Sequence, residues 1–197
     1  MITIDPGRLA AAALLLSAYA GMCAAILRSV RRRSGASGTG GDWLVAYASQ
    51  TGTGEYLAGQ TVATLRAAGL QATSASIDTL APEVMASGCR ILFIASTYGE
   101  GDAPDSAARF ASKLAAGGAP LGELHYAVLA LGDSTYANYC GFGRWLDDAL
   151  KARGAQPLFE RIEIDRGAGI EAWQHQLSHL AGTSDAPDWS APSFQPW

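Results

Sequence analysis

Apolar positions along the chain fall into short continuous runs separated by segments of helical spacing. WLVAYA at Trp43–Ala48, RILFIAS at Arg90–Ser96 and HYAVLAL at His125–Leu131 are apolar throughout rather than alternating. Runs of this kind fit strands buried on both faces. Gln71–Ile77 and Gln156–Ile164 read as two further extended segments. Between them, one helix is expected up to about Ala68, with Leu57, Val62 and Leu65 on one side and Gly69 as its stop. Three more are expected at Ala107–Ala116, ended by Gly117-Gly118, at Phe142–Ala152, ended by Gly154, and at Ile170–Leu180. Strand and helix alternate five times, which predicts an α/β chain with a parallel sheet covered on both faces. Ligands of such sheets lie beyond the carboxyl ends of the strands. That singles out the loops 49–54, 97–105 and 132–141.

The head of the chain follows another pattern. Leu9–Leu27 is a run of 19 residues without a charge, long enough to cross the roughly 30 Å hydrocarbon layer as a helix. Arg28, Arg31, Arg32 and Arg33 follow at once and predict that the C-terminal side faces the cytoplasm, across the inner membrane. A cleaved signal peptide would carry its charges before the apolar run. Ala18-Tyr19-Ala20 can mimic a cleavage site, but the run continues past it. A buried soluble helix would show a polar face. The expected organisation is an N-terminal segment 1–8, a transmembrane helix 9–27, a basic and Gly/Ser-rich linker 28–42, a domain over 43–181 and a tail over 182–197.

Charge sharpens this division. Residues 1–41 carry five arginines and one acid, whereas residues 42–197 carry 9 basic and 17 acidic residues. An acidic body argues against nucleic-acid binding through a basic surface. Glu100, Asp102, Asp105, Asp133, Asp147 and Asp148 fall in or near the chosen loops and the helix after them, and are expected to form a negative rim. Such a rim steers a positively charged partner.

The loops carry the candidate chemistry. Ser49, Gln50, Thr51, Gly52, Thr53 and Gly54 lie between a strand and a helix, where free backbone N–H groups and hydroxyls suit a phosphate. Gly54 is followed by Glu55 rather than by Lys-Ser/Thr, so this is no Walker loop, and the Rossmann glycine spacing is also missing. The second loop runs Ser96, Thr97, Tyr98, Gly99, Glu100, Gly101; its tyrosine, set among small residues, is expected to stand exposed, and Asp105 to cap the next helix. The third begins Leu131, Gly132, Asp133 and continues to Tyr136. Two tyrosines that sandwich a flat ring, with a phosphate held at its far end, fit flavin mononucleotide (FMN).

SQTGTGE, STYGEGDAPDSA and LALGDSTY, in this order and spacing, resemble the FMN-binding flavodoxin-like domain of NADPH-dependent diflavin reductases. That family includes the sulfite reductase flavoprotein and the microsomal cytochrome reductases. The resemblance covers about residues 43–181. It implies a flavodoxin-like three-layer α/β/α sandwich with a five-stranded parallel sheet in the order 2-1-3-4-5. It also implies that Ser49–Gly54 hold the FMN phosphate and that Tyr98 and Tyr136 flank the ring. Gly99, Gly101, Leu131, Gly132 and Asp133 would line it, and Asp165 matches an acidic position near the flavin. The implied role is one-electron transfer from an FAD/NADPH-binding module to a haem or metal-centre acceptor. SFQPW at Ser193–Trp197 looks like the start of the segment leading to such a module, and the N-terminal run like the last helix of a larger membrane protein.

The remaining residues suggest no other chemistry. Cys23, Cys89 and Cys140 sit in contexts that do not suggest pairing, and a cytoplasmic body would keep them reduced. His175 and His179 are four apart on one helical face, which is too few ligands for a metal site. No catalytic acid, base or nucleophile is expected. Two alternatives stay open: a flavin-dependent quinone reductase, and a non-redox phosphate-ligand or regulatory module on the same fold.

Overall fold

The computed structural model describes residues 43–182. Its strands are β1 (Trp43–Ala48), β2 (Ala72–Ser76), β3 (Arg90–Ser96), β4 (His125–Gly132), β5 (Gln156–Pro157) and β6 (Ile162–Asp165). All pairings are parallel, and the order is β2-β1-β3-β4-β5, with β6 also paired to β4. The order of the expected sheet therefore holds, but its fifth strand is two strands. Gln156–Pro157 pairs with His125–Tyr126, and Ile162–Asp165 pairs with Leu129–Gly132. Pro157 brings no N–H, and the chain between the two pieces is two residues longer than the stretch of β4 opposite, so after the hydrogen bond from Leu158 N to the Tyr126 carbonyl it leaves the ladder.

Helices α1 (Thr53–Ala67), α2 (Pro82–Ala86), α3 (Asp105–Ala115), α4 (Gly141–Ala152) and α5 (Ile170–Ala181) connect the strands. The short α2 and a single 3-10 turn at Ile77–Thr79 were not expected. Five residues are too few to display a helical period. Asp105 proves to be the first helical residue rather than the cap. Pro104 holds the cap position and contributes no side-chain hydrogen bond, so Asp105 acts only by its charge on the first turn.

The central strands are apolar throughout because each serves two cores. Ile91, Phe93 and Ala95 of β3 and Tyr126, Val128 and Ala130 of β4 face α3 and α4, where they meet Phe110, Leu114, Leu146 and Leu150. Leu92, Ile94, Ala127, Leu129 and Leu131 face the other way onto Leu57, Val62, Leu65, Trp173 and Leu177 of α1 and α5. Each fully buried leucine or isoleucine contributes about 1.5–3 kcal/mol. The α1–α5 contact is pinned by a hydrogen bond from Trp173 Nε1 to Thr61 Oγ1 at 3.1 Å.

The α4 side carries a buried charge. Asp147 is only 2% exposed. Its carboxylate accepts from the Tyr126 hydroxyl at 2.7 Å, from Arg161 at 2.7 Å and from Lys151 at 2.9 Å. Burial, reinforced by this carboxylate, pushes the Tyr126 phenol well above its usual range. Asp147 therefore does not belong to an acidic rim. It faces inward because Tyr126 and Arg161 demand an acceptor there.

The helix α4 approaches β4 most closely at Gly143. A Cβ at that position would stand 2.3 Å from the Ala130 Cβ. Among the described residues no helix is long and apolar enough to cross a membrane, and the expected span 9–27 lies outside them. The linker 28–42 and the tail beyond 182 lie outside them as well.

Candidate functional site

The loop after β1 folds around its first side chain. Ser49 Oγ accepts the backbone N–H groups of Gly52 at 3.0 Å and Gly54 at 3.1 Å. The hydroxyl keeps its own hydrogen to donate outward. Gly52 caps α1 at φ +89°, a conformation that favours glycine. Gly54 is buried, and a Cβ there would lie 3.0 Å from the Ala48 carbonyl oxygen. Gln50 and Thr51 are exposed, and the hydroxyls of Thr51 and Thr53 lie 3.4 Å apart. The loop thus presents hydroxyls and the N-terminus of a 15-residue helix to one point, an arrangement that attracts an anion.

The loop after β3 closes on itself. Tyr98 and Asp102 exchange two backbone hydrogen bonds at 2.9 Å, with Gly99 and Gly101 at positive φ between them. This tight turn drives the Tyr98 ring outward, to 56% exposure. The third loop is braced by two carboxylates. Asp133 Oδ1 accepts Thr135 N at 2.9 Å and Thr135 Oγ1 at 2.6 Å. Asp165, at the end of β6, accepts Ser134 N at 3.0 Å and Ser134 Oγ at 2.6 Å. Tyr136, held between these braces and the start of α4, is 40% exposed.

The three loops are stitched together. Ser106 Oγ donates to the Ser49 carbonyl at 3.2 Å, and Thr97 N donates to the Leu131 carbonyl at 2.9 Å. At Gly141 a Cβ would stand 2.7 Å from the Gly101 carbonyl oxygen, so the second and third loops meet backbone to backbone. Between them lies a cavity of about 260 Å³ lined by Thr97, Tyr98, Gly99, Asp133, Tyr136, Asn138, Tyr139 and Cys140. The buried hydroxyls of Ser96 and Thr97 have no hydrogen-bond partner. Ser96 Oγ would lie 3.2 Å from a Cβ on Gly54, directly under the first loop, and Thr97 is in the cavity wall. Buried hydroxyls normally find partners. Two unsatisfied ones, an anion-binding helix start and two exposed tyrosines fit a phosphorylated ligand that bears a flat ring.

The structure thus assembles Thr97, Tyr98, Gly99, Asp133 and Tyr136 in one cavity and Ser49–Gly54 beside it. Leu131 has its side chain in the core and its carbonyl engaged by Thr97. Asp165 braces Ser134, and Gly101 packs against Asn138. The reading of the sequence missed Asn138, Tyr139 and Cys140. The Tyr-x-x-Tyr spacing of Tyr136 and Tyr139, one turn before a helix, was the available signal. Burial pushes the Cys140 thiol up to about 11, so it stays protonated and unreactive. Cys140 and Arg166 are the non-glycine residues held at positive φ among those described, at 55° and 46°; Cys140 lies at the end of the third loop, and Arg166, just after β6, donates its N–H to the Gly132 carbonyl at 3.0 Å.

The braces have a pH signature. Hydrogen bonds from the Ser134 side chain and backbone hold the Asp165 carboxyl below its ordinary value of 3.8, and those from Thr135 do the same for Asp133. A depressed carboxylate contributes stability that is complete above the ordinary value and lost as pH falls through the lowered one. The third loop is therefore expected to keep its order at pH 5 and to lose it only below the ordinary carboxylate value of 3.8, as pH falls through the lowered one. Amide exchange of Ser134 and Thr135 measured between pH 6 and 3 checks this. Protection that is already lost between pH 6 and pH 5 would contradict it.

Comparison with known proteins agrees with this fold. The flavodoxin family pattern matches residues 45–176. The NADPH sulfite reductase flavoprotein alpha-component of Neisseria meningitidis serogroup C is 34% identical over 154 residues, covering 77% of this chain and 26% of that protein. Its Vibrio cholerae counterpart (Classical Ogawa strain) is 37% identical over 145 residues, covering 72% and 24%. The chain thus spans about a quarter of the length of these relatives. Among solved structures, the Streptococcus pneumonia TIGR4 flavodoxin superposes with a TM-score of 0.61 at 26% identity, covering 71% of this chain and 94% of that one. The chain belongs to the flavodoxin family, and its cofactor is FMN.

Proposed function

We propose that residues 43–181 form a one-electron carrier that receives electrons from an FAD/NADPH-binding reductase module and passes them to a haem or metal-centre acceptor. Bound FMN supplies the redox chemistry, accepting electrons as a pair or singly. The chain supplies the rest. Ser49 and the start of α1 take the phosphate, Tyr98 and Tyr136 close on the ring, and the unpartnered hydroxyls of Ser96 and Thr97 accept the ligand's polar groups. The observation that carries this reading is one cavity lined by the loops after β3 and β4, with two exposed tyrosines at its wall, and the loop after β1 tied beside it through the Ser106 hydroxyl and the Ser49 carbonyl. Similarity to the sulfite reductase flavoproteins supports the choice of donor and acceptor.

We further propose that Leu9–Leu27 tethers the domain to the inner membrane, with the domain facing the cytoplasm. The uncharged run and the four arginines after it support that orientation. Two experiments test the proposals. FMN added to the purified chain should bind one to one, with absorption near 450 nm and the cofactor released on denaturation; a chain that stays colourless would exclude the carrier role. Protease added outside intact cells should leave the domain whole, and digestion there would refute the orientation.

A further inference from the structure

We infer that Arg144 is a positioning residue of the FMN site and that it acts through the ring of Tyr139. This rests on the FMN reading above. Arg144 lies in the first turn of α4, just after the third loop. Its guanidinium carbon sits 5.5 Å from the centroid of the Tyr139 ring. Tyr139 is part of the cavity wall, next in that wall to Asn138 and on the same loop as Tyr136.

The guanidinium is itself held from behind. Arg144 Nε and Nη2 donate to the two oxygens of Glu163 at 2.8 and 2.7 Å. Such a two-pronged bond fixes the plane of the guanidinium as well as its position. Glu163 Oε1 also accepts Arg161 Nε at 3.0 Å. Arg161 in turn reaches the buried carboxylate of Asp147 at 2.7 Å. These arginine bonds hold the Glu163 carboxyl below its usual range, so it stays an anion. The chain of contacts therefore runs from the core, through Asp147, Arg161, Glu163 and Arg144, to a ring in the cavity wall.

The ring is confined on its other side too. A Cβ at Gly132 would stand 2.9 Å from Tyr139 Cδ2, so Tyr139 packs directly over the end of β4. A phenol caught between a glycine backbone and a fixed cation has little freedom to turn. A cation over an aromatic face adds attraction of its own. The consequence is a wall set in place before the ligand arrives, which removes an ordering cost from binding.

The test is a double-mutant cycle on the full-length chain, read by the FMN dissociation constant and by the visible circular dichroism of the bound flavin. Arg144→Gln is expected to weaken FMN binding by roughly three- to tenfold and to change the dichroism. In a Tyr139→Leu background the same substitution is expected to change the affinity by less than about 1.5-fold. Arg144→Lys, which keeps a cation over the ring, should restore most of the loss. Glu163→Gln, which frees the guanidinium, should act in the same direction with a smaller effect. The FMN-free Arg144→Gln and Arg144→Lys chains should melt with wild type, because the Arg144 side chain is 45% exposed. Equal losses in the two backgrounds, no rescue by lysine, or no loss at all would overturn the inference. A wild-type chain that takes up no FMN would overturn the FMN reading and this inference with it. Wild-type binding with an unaffected Arg144→Gln variant would overturn this inference alone.

Discussion

Gly143→Leu is expected to lower the free energy of unfolding by roughly 3 kcal/mol, a large share of what a domain of this size has. Glycine inside a helix costs about 1 kcal/mol relative to alanine, so propensity alone would favour replacing it. Packing reverses the sign. The added Cβ would meet Ala130 Cβ at 2.3 Å and Ala130 Cα at 3.1 Å. Ala130 lies on β4, which is paired to β3 on one side and to β6 on the other and has no room to retreat. Even Gly143→Ala should therefore destabilise. Urea unfolding followed by far-ultraviolet circular dichroism measures this, and Ala130→Gly in the same chain should recover most of the loss. A Gly143→Ala variant more stable than wild type would show that helix propensity outweighs the contact.

Ser49→Ala is expected to weaken FMN binding by about ten- to a hundredfold, equivalent to roughly 1.4–2.7 kcal/mol. The substitution deletes the acceptor that gathers Gly52 N–H and Gly54 N–H, and with it the outward hydroxyl hydrogen. The two amides then lose the geometry that holds the loop around the anion. Ser49→Thr should keep most of the affinity. Riboflavin, which has the ring but no phosphate, separates the effects. Its binding should be nearly the same in wild type and Ser49→Ala, as read by quenching of flavin fluorescence. An equal loss for riboflavin and FMN would place Ser49 at the ring rather than at the phosphate.

Much of the fold was legible because the buried strands announce themselves. Arg90–Ser96 and His125–Leu131 are apolar at every step, and the structure shows why: adjacent side chains go to different cores. The second strand was found despite its Ala/Thr/Ser composition, since it lies between two clear elements. What stayed hidden depends on partners distant in sequence. Nothing local shows that Asp147 turns inward, because its partners Tyr126 and Arg161 lie 21 residues before it and 14 after it. Asp165 was placed correctly at the end of the last strand, but its task of bracing Ser134 spans 31 residues. Tyr139 was overlooked for a similar reason. Its role comes from the contact with Arg144 and from the close pass over Gly132, neither of which has a local pattern.

The break in the last strand has a consequence for assembly. A continuous outer strand would offer a row of N–H and C=O groups to any passing chain, as an invitation to sheet extension. Here that row is interrupted, with β5 only two residues long, a proline at its end and residues 159–161 outside the pairing before β6 begins. On that side the sheet cannot template growth from another polypeptide. On that side a partner would meet the domain through side chains and loops rather than by adding a strand.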